Sequence, residues 1–368
     1  MFERERLNVL LIAAGIAVIF FTLSDAFETM ILPRRVSRRV KVTRYFYVAT
    51  WTPYAGLMRR MHANGRRENL LSVYGPLSLI LLFAVWAGLL ILGFAIVYHG
   101  VSFTVSGDER VANFGTDLYF SGTTFFTIGL GDVSSRGIAG RTVTVLEGGT
   151  GFAFLALVIG YLPVLYQAFS RREVHISLLD ARAGSPPTAA GLFERYPYDS
   201  RRAELYALME SWERWAAELL ESHLSFPLLA YFRSQHDRQS WAGALCAILD
   251  ANAVLIALGE APAGSAPQLA FAMARHAAVD LSQVLVRHDA RAIPDRLPAA
   301  EMRRLRQSFG RAWPAGARGD AAEARLNEVR AGYEPQLASI AELLLTPLPP
   351  WLPAAGAEAD WQEGLRGV

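Results

Sequence analysis

One short segment near the middle of the chain, Thr127-Ile128-Gly129-Leu130-Gly131, has residue types that could replace the water shell of a cation. A dehydrated cation needs a ring of oxygen ligands, and consecutive backbone carbonyls face one axis only where alternate residues tolerate unusual dihedral angles. Gly129 and Gly131 provide that tolerance. Thr127 would contribute a hydroxyl as well as a carbonyl oxygen. The segment therefore predicts an ion-binding strand with ligands at Thr127, Ile128, Gly129, Leu130 and Gly131.

With the following Asp132, this segment resembles the T-V-G-Y-G-D signature of potassium channels, specifically the bacterial family with two transmembrane helices around one pore loop. The residues before it resemble the pore helix of that family. The resemblance implies support of the filter by Tyr119, Phe120, Thr123, Thr124 and Asp132. It also implies K⁺ as the permeating ion at residues 127–130, no other cofactor, and passive transport without chemical catalysis. Glycines at this spacing also mark ordinary turns, but the long apolar segments on both sides disfavour that alternative.

Two positions depart from the family pattern. Leu130 stands where most relatives carry Tyr, and Phe126 where many carry Thr. The Leu form resembles the second pore loop of some two-pore-domain potassium channels, but it lacks a phenolic hydroxyl that would tie the filter to its surroundings. A weakly selective monovalent-cation channel is therefore one alternative. A non-conducting membrane sensor that signals through its C-terminal tail is another.

The elements that position this segment follow from hydropathy. The 368 residues are 52% hydrophobic and 19% charged, with the apolar excess in the first half. Three apolar runs, residues 7–32, 76–98 and 143–169, are long enough to cross about 30 Å of hydrocarbon. They predict an N-terminal transmembrane helix (1–32), a pore domain (76–169: outer helix 76–98, pore helix and filter 115–132, inner helix 143–169) and a tail (170–368). A secretory signal is the alternative for the first run.

Residues 33–75 form a strongly basic segment between the first two runs. Its charges are Arg34, Arg35, Arg38, Arg39, Lys41, Arg44, Arg59, Arg60, Arg66 and Arg67 against Glu68. This excess predicts that the segment and the tail lie on the cytoplasmic side of the membrane. The resemblance to a bacterial channel family implies that this is the bacterial cell membrane. Interleaved aromatic residues favour an interfacial segment on anionic lipid of the inner leaflet, and a solvated linker is the alternative. Pro53 argues against one continuous helix here, and no module for nucleic-acid binding accompanies the charge.

The third run has the features of a pore-lining helix. Gly151, Gly160 and Pro163 are candidate gating hinges, and close helix packing is the alternative for the glycines. Glu147 lies one turn into the helix, where a carboxyl group needs a partner or water. We expect it to brace the pore loop rather than to lie on the permeation path. Asp25 and other acids at the end of the first run are expected to extend toward neighbouring arginines.

The tail is predicted to be all-helical, with helices at 199–222, 226–235, 238–259, 266–288, 299–313 and 319–345. Residues 241–258 are nearly all apolar, but Asp250 interrupts them, so a buried bundle helix is expected rather than a fourth span. The scattered residues His223, His236, Asp237, His276, Asp280, His288 and Asp289 give only a weak indication of a metal site, with capping and bridging as the simpler explanation. The tail could bind a ligand, bind a partner or stabilise an oligomer.

The predicted fold class is therefore an all-α membrane protein with a tetrameric potassium-channel pore fold, an additional N-terminal transmembrane helix and an α-helical cytoplasmic domain. The four-chain assembly follows from the resemblance, because one filter strand per chain cannot enclose an ion.

Overall fold

A computed structural model describes residues 2–32, 42–101, 104–106, 113–236, 238–286, 295–309 and 316–353. The helices are α1 (Phe2–Met30), α2 (Val42–Arg60), α3 (Gly65–Val101), α4 (Phe114–Phe125), α5 (Gly137–Ala183), α6 (Ala189–Arg195), α7 (Tyr198–Ser225), α8 (Trp241–Ala257), α9 (Ala266–Leu285), α10 (Ala299–Phe309), α11 (Ala317–Ala331) and α12 (Glu334–Leu344). A short 3-10 helix covers Pro227–Tyr231. Two three-residue strands, β1 (Thr104–Ser106) and β2 (Val133–Ser135), pair antiparallel. The predicted all-α membrane protein with a helical C-terminal part is confirmed.

The chain divides into two units. The first, here the membrane unit, comprises Met1–Gly56 and Pro76–Tyr166, and the second, the tail unit, comprises Leu57–Gly75 and Gln167–Val368. Within the described residues, three helices are long and apolar enough to cross a membrane: Glu5–Met30, Gly65–Val101 and Gly137–Ala183. The last two begin before and end after the predicted runs at 76–98 and 143–169. Hydropathy detects only the apolar part of a helix, whereas backbone hydrogen bonding continues through the charged residues at both helix ends.

In the membrane unit, glycines allow α1 to pack closely on α3. A Cβ atom placed on Gly15 would lie 2.6 Å from the carbonyl oxygen of Gly93, and one on Gly100 would lie 3.0 Å from that of Asn8. Small residues at such contacts let two backbones approach, which is how membrane helices gain packing energy in a medium without a hydrophobic drive. The close approach therefore fixes α1 against α3.

Asp25, near the C-terminal end of α1, connects this end to α2 and α3. It is only 6% exposed, and its Oδ2 atom accepts hydrogen bonds from the Trp86 indole N–H (2.9 Å) and from the Thr43 amide (3.0 Å) and hydroxyl (2.7 Å). The expectation that Asp25 extends toward arginines is therefore wrong. A buried carboxylate is retained where donors from other helices satisfy it, and here those donors come from α2 and α3.

The helix α2 runs through Pro53, contrary to the expectation of a break. Trp51, Ala55 and Met58 are buried on one face of this helix, and this packing supports it despite the missing backbone donor. The described part of the basic segment thus consists of α2, a turn and the start of α3. Its charges at 34, 35, 38, 39 and 41 lie outside the described residues.

The tail unit is a helical bundle around α8. Every residue from 241 to 255 is buried, and α7, α9, α11, α12 and α6 supply the rest of the core. This explains the apolar run as bundle core. Asp250 is buried as well, where it binds the Arg296 guanidinium at 2.5 Å and accepts a hydrogen bond from the Tyr333 hydroxyl at 2.7 Å. These contacts stabilise an acid that would otherwise be costly to bury.

Two of the predicted tail helices differ from the structure in helix type or in number of helices, and the others differ only at their ends. The predicted helix at 226–235 is the 3-10 helix Pro227–Tyr231, and the predicted helix at 319–345 is divided into α11 and α12 around Gly332 and Tyr333. Pro335 occupies the first turn of α12, because a residue without a backbone N–H is tolerated where the helix has no acceptor for that donor. The spacing of apolar residues in the sequence stays the same across this break, so it does not show that one helix ends and another begins.

Candidate ion-conduction site

The strand that follows α4 has an unusual alternating backbone. Thr127, Gly129 and Gly131 have positive φ angles of 56°, 59° and 80°. The two glycines thus adopt a backbone conformation that few other residues tolerate, as predicted. Thr127 adopts the same region although it carries a β-branched side chain, which is rare. The amides of Ile128 and Gly129 donate to the carbonyl oxygen of Thr123 at 2.8 and 3.3 Å. The end of α4 therefore holds the start of this strand.

The far end of the strand is held by Asp132. The Tyr119 hydroxyl on α4 donates to Asp132 Oδ2 at 3.0 Å. Directly afterwards, β2 pairs with β1, which follows α3. Phe120 is buried and its ring lies edge-on to Tyr98, with 5.0 Å between centroids. Residues of α4 therefore contact the strand at both of its ends.

The predicted support residues Thr123 and Thr124 act through their backbone carbonyls. The Thr124 carbonyl accepts from the Thr127 amide at 3.0 Å, beside the Thr123 contacts already described. The Thr123 hydroxyl donates to the carbonyl of Phe120 at 3.0 Å. None of these contacts depends on the threonine side chain meeting the strand itself.

Glu147 joins three helices behind the strand. Its side chain on α5 is 0% exposed, and the Tyr98 hydroxyl on α3 donates to Oε2 at 2.8 Å. The Ser121 hydroxyl on α4 is hydrogen-bonded to Oε1, and Ser121 Oγ also lies 2.8 Å from the carbonyl oxygen of Ile91 on α3. The carboxyl group thus has a protein partner for each of its oxygens.

Sequence reasoning missed the partners of Glu147 and a second contact of α4. Tyr98 and the adjacent His99 both reach α4, and His99 Nδ1 lies 2.8 Å from Asp117 Oδ2 in the first turn of that helix. The sequence contained one indication, since an acid inside a membrane helix requires a partner. It did not indicate which residue that partner is.

The candidate hinges occupy different environments. A Cβ atom on Gly151 would lie 1.9 Å from the carbonyl oxygen of Phe125, the last residue of α4, whereas one on Gly160 would meet nothing within 4 Å. The helix α5 is continuous through both glycines and through Pro163. At Gly151 the geometry matches the packing alternative, and the hinge role of all three residues stays a prediction.

The scattered tail residues do not converge. His276 lies 3.8 Å from Asp280 on the surface of α9, while His223 is buried beside Arg172. Asp237, His288 and Asp289 lie outside the described residues. Where the chain is described, no group of three or more His, Cys, Asp or Glu side chains is arranged to hold a metal ion.

The described residues form a helical membrane protein, with three helices long and apolar enough to cross a membrane. Residues 82–167 match the family model described as an ion channel, so this part of the chain is an ion-channel domain and the predicted family resemblance is confirmed. The chain is also similar to the uncharacterized membrane protein YdjJ of Bacillus subtilis (strain 168), with 25% identity over 182 residues. The alignment covers 48% of this chain and 52% of that protein, so the chain spans about half the length of this relative. No solved structure matches the chain.

The contact of Gly151 with α4 generates a testable prediction. Replacing Gly151 with Ala forces a methyl group into the Phe125 carbonyl, and overpacking of this kind costs about 1–3 kcal/mol. We expect Gly151→Ala to lower the thermal unfolding temperature in detergent. The matched variant Gly160→Ala lies on the same helix with open space around the new methyl group and should not lower that temperature, because Ala favours a helix more than Gly does. Equal effects of the two substitutions would contradict the packing role.

Proposed function

We propose that the protein is a passive, potassium-selective ion channel whose pore is formed by four copies of the chain. The observation that carries this proposal is the backbone alternation at Thr127, Gly129 and Gly131, directly after α4 in an ion-channel domain. Alternating positive φ angles let successive carbonyl oxygens face one side of a strand, which is what ligands for a dehydrated cation require. Thr127, Ile128, Gly129, Leu130 and Gly131 would supply these oxygens.

The exposure of apolar side chains on the same strand supports assembly. In the single chain, Ile128 is 58% exposed and Leu130 is 65% exposed, next to polar backbone. Large apolar groups at such a position favour burial against another protein surface. A closed ring of four identical strands would bury them and enclose the ion.

A weakly selective cation channel is the second candidate, and Leu130 favours it. Its side chain has no hydroxyl group to anchor the middle of the strand. The bond between Tyr119 and Asp132 anchors only the outer end. Discrimination between K⁺ and Na⁺ depends on how well the carbonyl positions are maintained, so a looser strand would select less strongly.

Glu147 is proposed to brace the strand rather than to attract ions. Both of its carboxyl oxygens are engaged by Tyr98 and Ser121, and the side chain is inaccessible in the single chain. A carboxyl group on the permeation path would instead have an aqueous face. Through Ser121 this residue would set the position of α4, and α4 holds both ends of the strand.

The membrane is proposed to be the bacterial cell membrane, with the basic segment and the tail in the cytoplasm. The arginine excess before α3 supports this orientation. On α2, the side chains of Tyr45, Val48 and Leu57 are exposed, with Arg44 and Arg60 exposed beside them. Exposed apolar and basic groups on one helix suit the surface of an anionic inner leaflet.

Ion flux through the reconstituted protein tests the proposed function. We expect potassium flux into liposomes, a reversal potential close to that of K⁺ in mixed K⁺ and Na⁺, and a particle mass of four chains in mild detergent. Gly129→Ala should abolish the flux and leave the mass unchanged, because a methyl group is strained at a φ of 59°. A reversal potential midway between the two ions would favour the weakly selective channel. Tetramers without any flux would favour the sensor.

Glu147→Gln tests the brace. The amide keeps the shape of the carboxyl group but changes its charge and donor pattern, so we expect an altered open probability and an unchanged tetramer yield. Single-channel recording at two ionic strengths distinguishes the alternatives. A fixed charge near the path concentrates cations most strongly at low salt, so a conductance loss confined to low salt would place Glu147 on the path instead.

Retention of lipid tests the proposed membrane contact. Each arginine near an anionic surface contributes about 1 kcal/mol, so the double variant Arg44→Gln, Arg60→Gln should retain anionic lipid about 30-fold more weakly. Native mass spectrometry of purified protein with added phosphatidylglycerol measures this. A double substitution of the exposed tail residues Arg214 and Arg325 removes the same charge and is the control. Equal losses from both pairs would show a general charge effect rather than a contact of α2.

A further inference from the structure

The tail unit contains the first turns of α3 and the last turns of α5, the two helices on either side of the ion-conduction strand in the chain. Both ends contact one five-residue segment, Leu229–Arg233, at the end of the 3-10 helix. We call these five residues the clamp segment. All of these contacts lie within the tail unit.

Arg172 attaches α5 to the clamp segment. It is 3% exposed, and its guanidinium donates to the carbonyl oxygens of Leu229 at 3.0 Å and Phe232 at 2.8 Å. The Phe232 amide also donates to the Leu229 carbonyl at 3.1 Å, and the planar fork of an arginine can bind two carbonyl oxygens at once. The Nε atom donates to Glu173 at 2.9 Å, which compensates the buried charge.

The surroundings of Arg172 leave it little freedom. Burial, followed by the nearby Arg172 charge, lowers the pKa of His223 to about 3, so this imidazole is neutral. Its Nδ1–H donates to the carbonyl of Leu219 at 2.9 Å, and its Nε2 is left to accept from Arg172 Nη1 at 3.3 Å. The Trp215 indole donates to the Arg172 carbonyl at 3.3 Å. The end of α5 is therefore held in one position against α7 and the clamp segment.

The start of α3 contacts Tyr231, Phe232 and Arg233 of the clamp segment. A Cβ atom on Gly75 would lie 2.9 Å from Cδ2 of Phe232 and 3.0 Å from the Tyr231 carbonyl oxygen, so the helix passes at close range. The rings of Tyr74 and Tyr231 lie edge-on with 5.6 Å between centroids. About two turns closer to the start of the helix, Glu68 pairs with Arg233 at 3.3 Å.

Arg233 also binds the end of α12. Its guanidinium donates to the Thr346 hydroxyl at 2.6 Å and to the Leu344 carbonyl at 2.5 Å. The clamp segment therefore contacts three separate parts of the chain: α3 through Glu68 and Gly75, α5 through Arg172, and the C-terminal end of the bundle through Arg233.

We propose that the clamp segment couples the helical tail to opening of the proposed pore. It does so by holding the ends of α3 and α5 at a fixed separation that a rearrangement of α12 can release. Because each helix is continuous into the ion-channel domain, a change of this separation alters the allowed positions of α5 relative to α3. Such a linkage can shift an equilibrium between closed and open states only by the difference in its contacts between the two. The gating part of the proposal rests on the proposed channel function.

Two substitutions at opposite ends of the clamp segment test this coupling. Glu68→Gln removes the ion pair on the α3 side, and Arg172→Lys removes the two-carbonyl contact on the α5 side. Loss of a hydrogen bond of ordinary strength in one of the two states corresponds to roughly a two- to thirteen-fold change in the open-to-closed ratio. We expect both variants to shift this ratio in the same direction with unchanged unit conductance. In the double variant the shift should not exceed the larger single shift, because a clamp released on one side cannot be released again. Independent effects would multiply.

Hydrogen exchange provides a readout that does not depend on conduction. Glu68→Gln should increase amide exchange in residues 167–175 of α5, which Glu68 does not contact. The control is Glu323→Gln, which removes a comparable ion pair with Arg306 (2.7 Å) between α10 and α11 and should change neither exchange nor open probability. Increased exchange confined to residues 65–75 and 229–236, or multiplying shifts in the double variant, would overturn the coupling. If the wild type carries no current, the channel proposal fails and the exchange result alone decides the clamp.

Discussion

The carboxyl group of Glu147 is the contact on which the geometry around residues 127–132 depends. A strand with exposed polar backbone between membrane helices has no regular hydrogen-bond ladder to hold it, so its position must come from the elements behind it. Those elements are α3, α4 and α5. Glu147 on α5 is hydrogen-bonded to the side chains of Tyr98 on α3 and Ser121 on α4. Hydrogen bonds in such a dry environment are strong because no water competes for either partner. The remaining contacts of α4, from Tyr119 to Asp132 and from His99 to Asp117, hold the same helix at other points.

The sequence predicted those features that a local pattern determines. Long apolar runs located the three candidate membrane helices. The glycine spacing located two of the three positive φ angles in the strand at residues 127–131. Thr127 was missed in this respect, because its conformation is imposed by hydrogen bonds to the end of α4 rather than by its residue type. The restart at Pro335 was missed because a helix that ends and begins again within one amphipathic stretch keeps its periodicity.

The partners of the buried acids could not be predicted for a different reason. Tyr98 is 49 residues from Glu147, and Trp86 is 61 residues from Asp25. A helix that is apolar on all sides, such as α3, has no polar face that indicates its rotation about its own axis. The sequence therefore shows that an intramembrane carboxyl group needs a donor, but the packing of whole helices decides which residue provides it. The same limit applies to the backbone carbonyls that Arg172 and Arg233 bind, because every residue has a carbonyl and the residue types do not show which one is bound.

The buried helix α8 has a consequence for synthesis of the chain at a membrane. Its 17 residues are apolar enough to resemble a further spanning segment, and they leave the ribosome before α9 to α12, which later enclose them. At that stage Arg296 and Tyr333 have not been made, so Asp250 is an unsatisfied acid in the middle of the segment. An aspartate at the centre of a helix raises the free energy of insertion by the translocon by roughly 3 kcal/mol. The residue that stabilises the finished bundle therefore also opposes lateral entry of the nascent helix into lipid, which keeps the tail on the side of the membrane where it can fold.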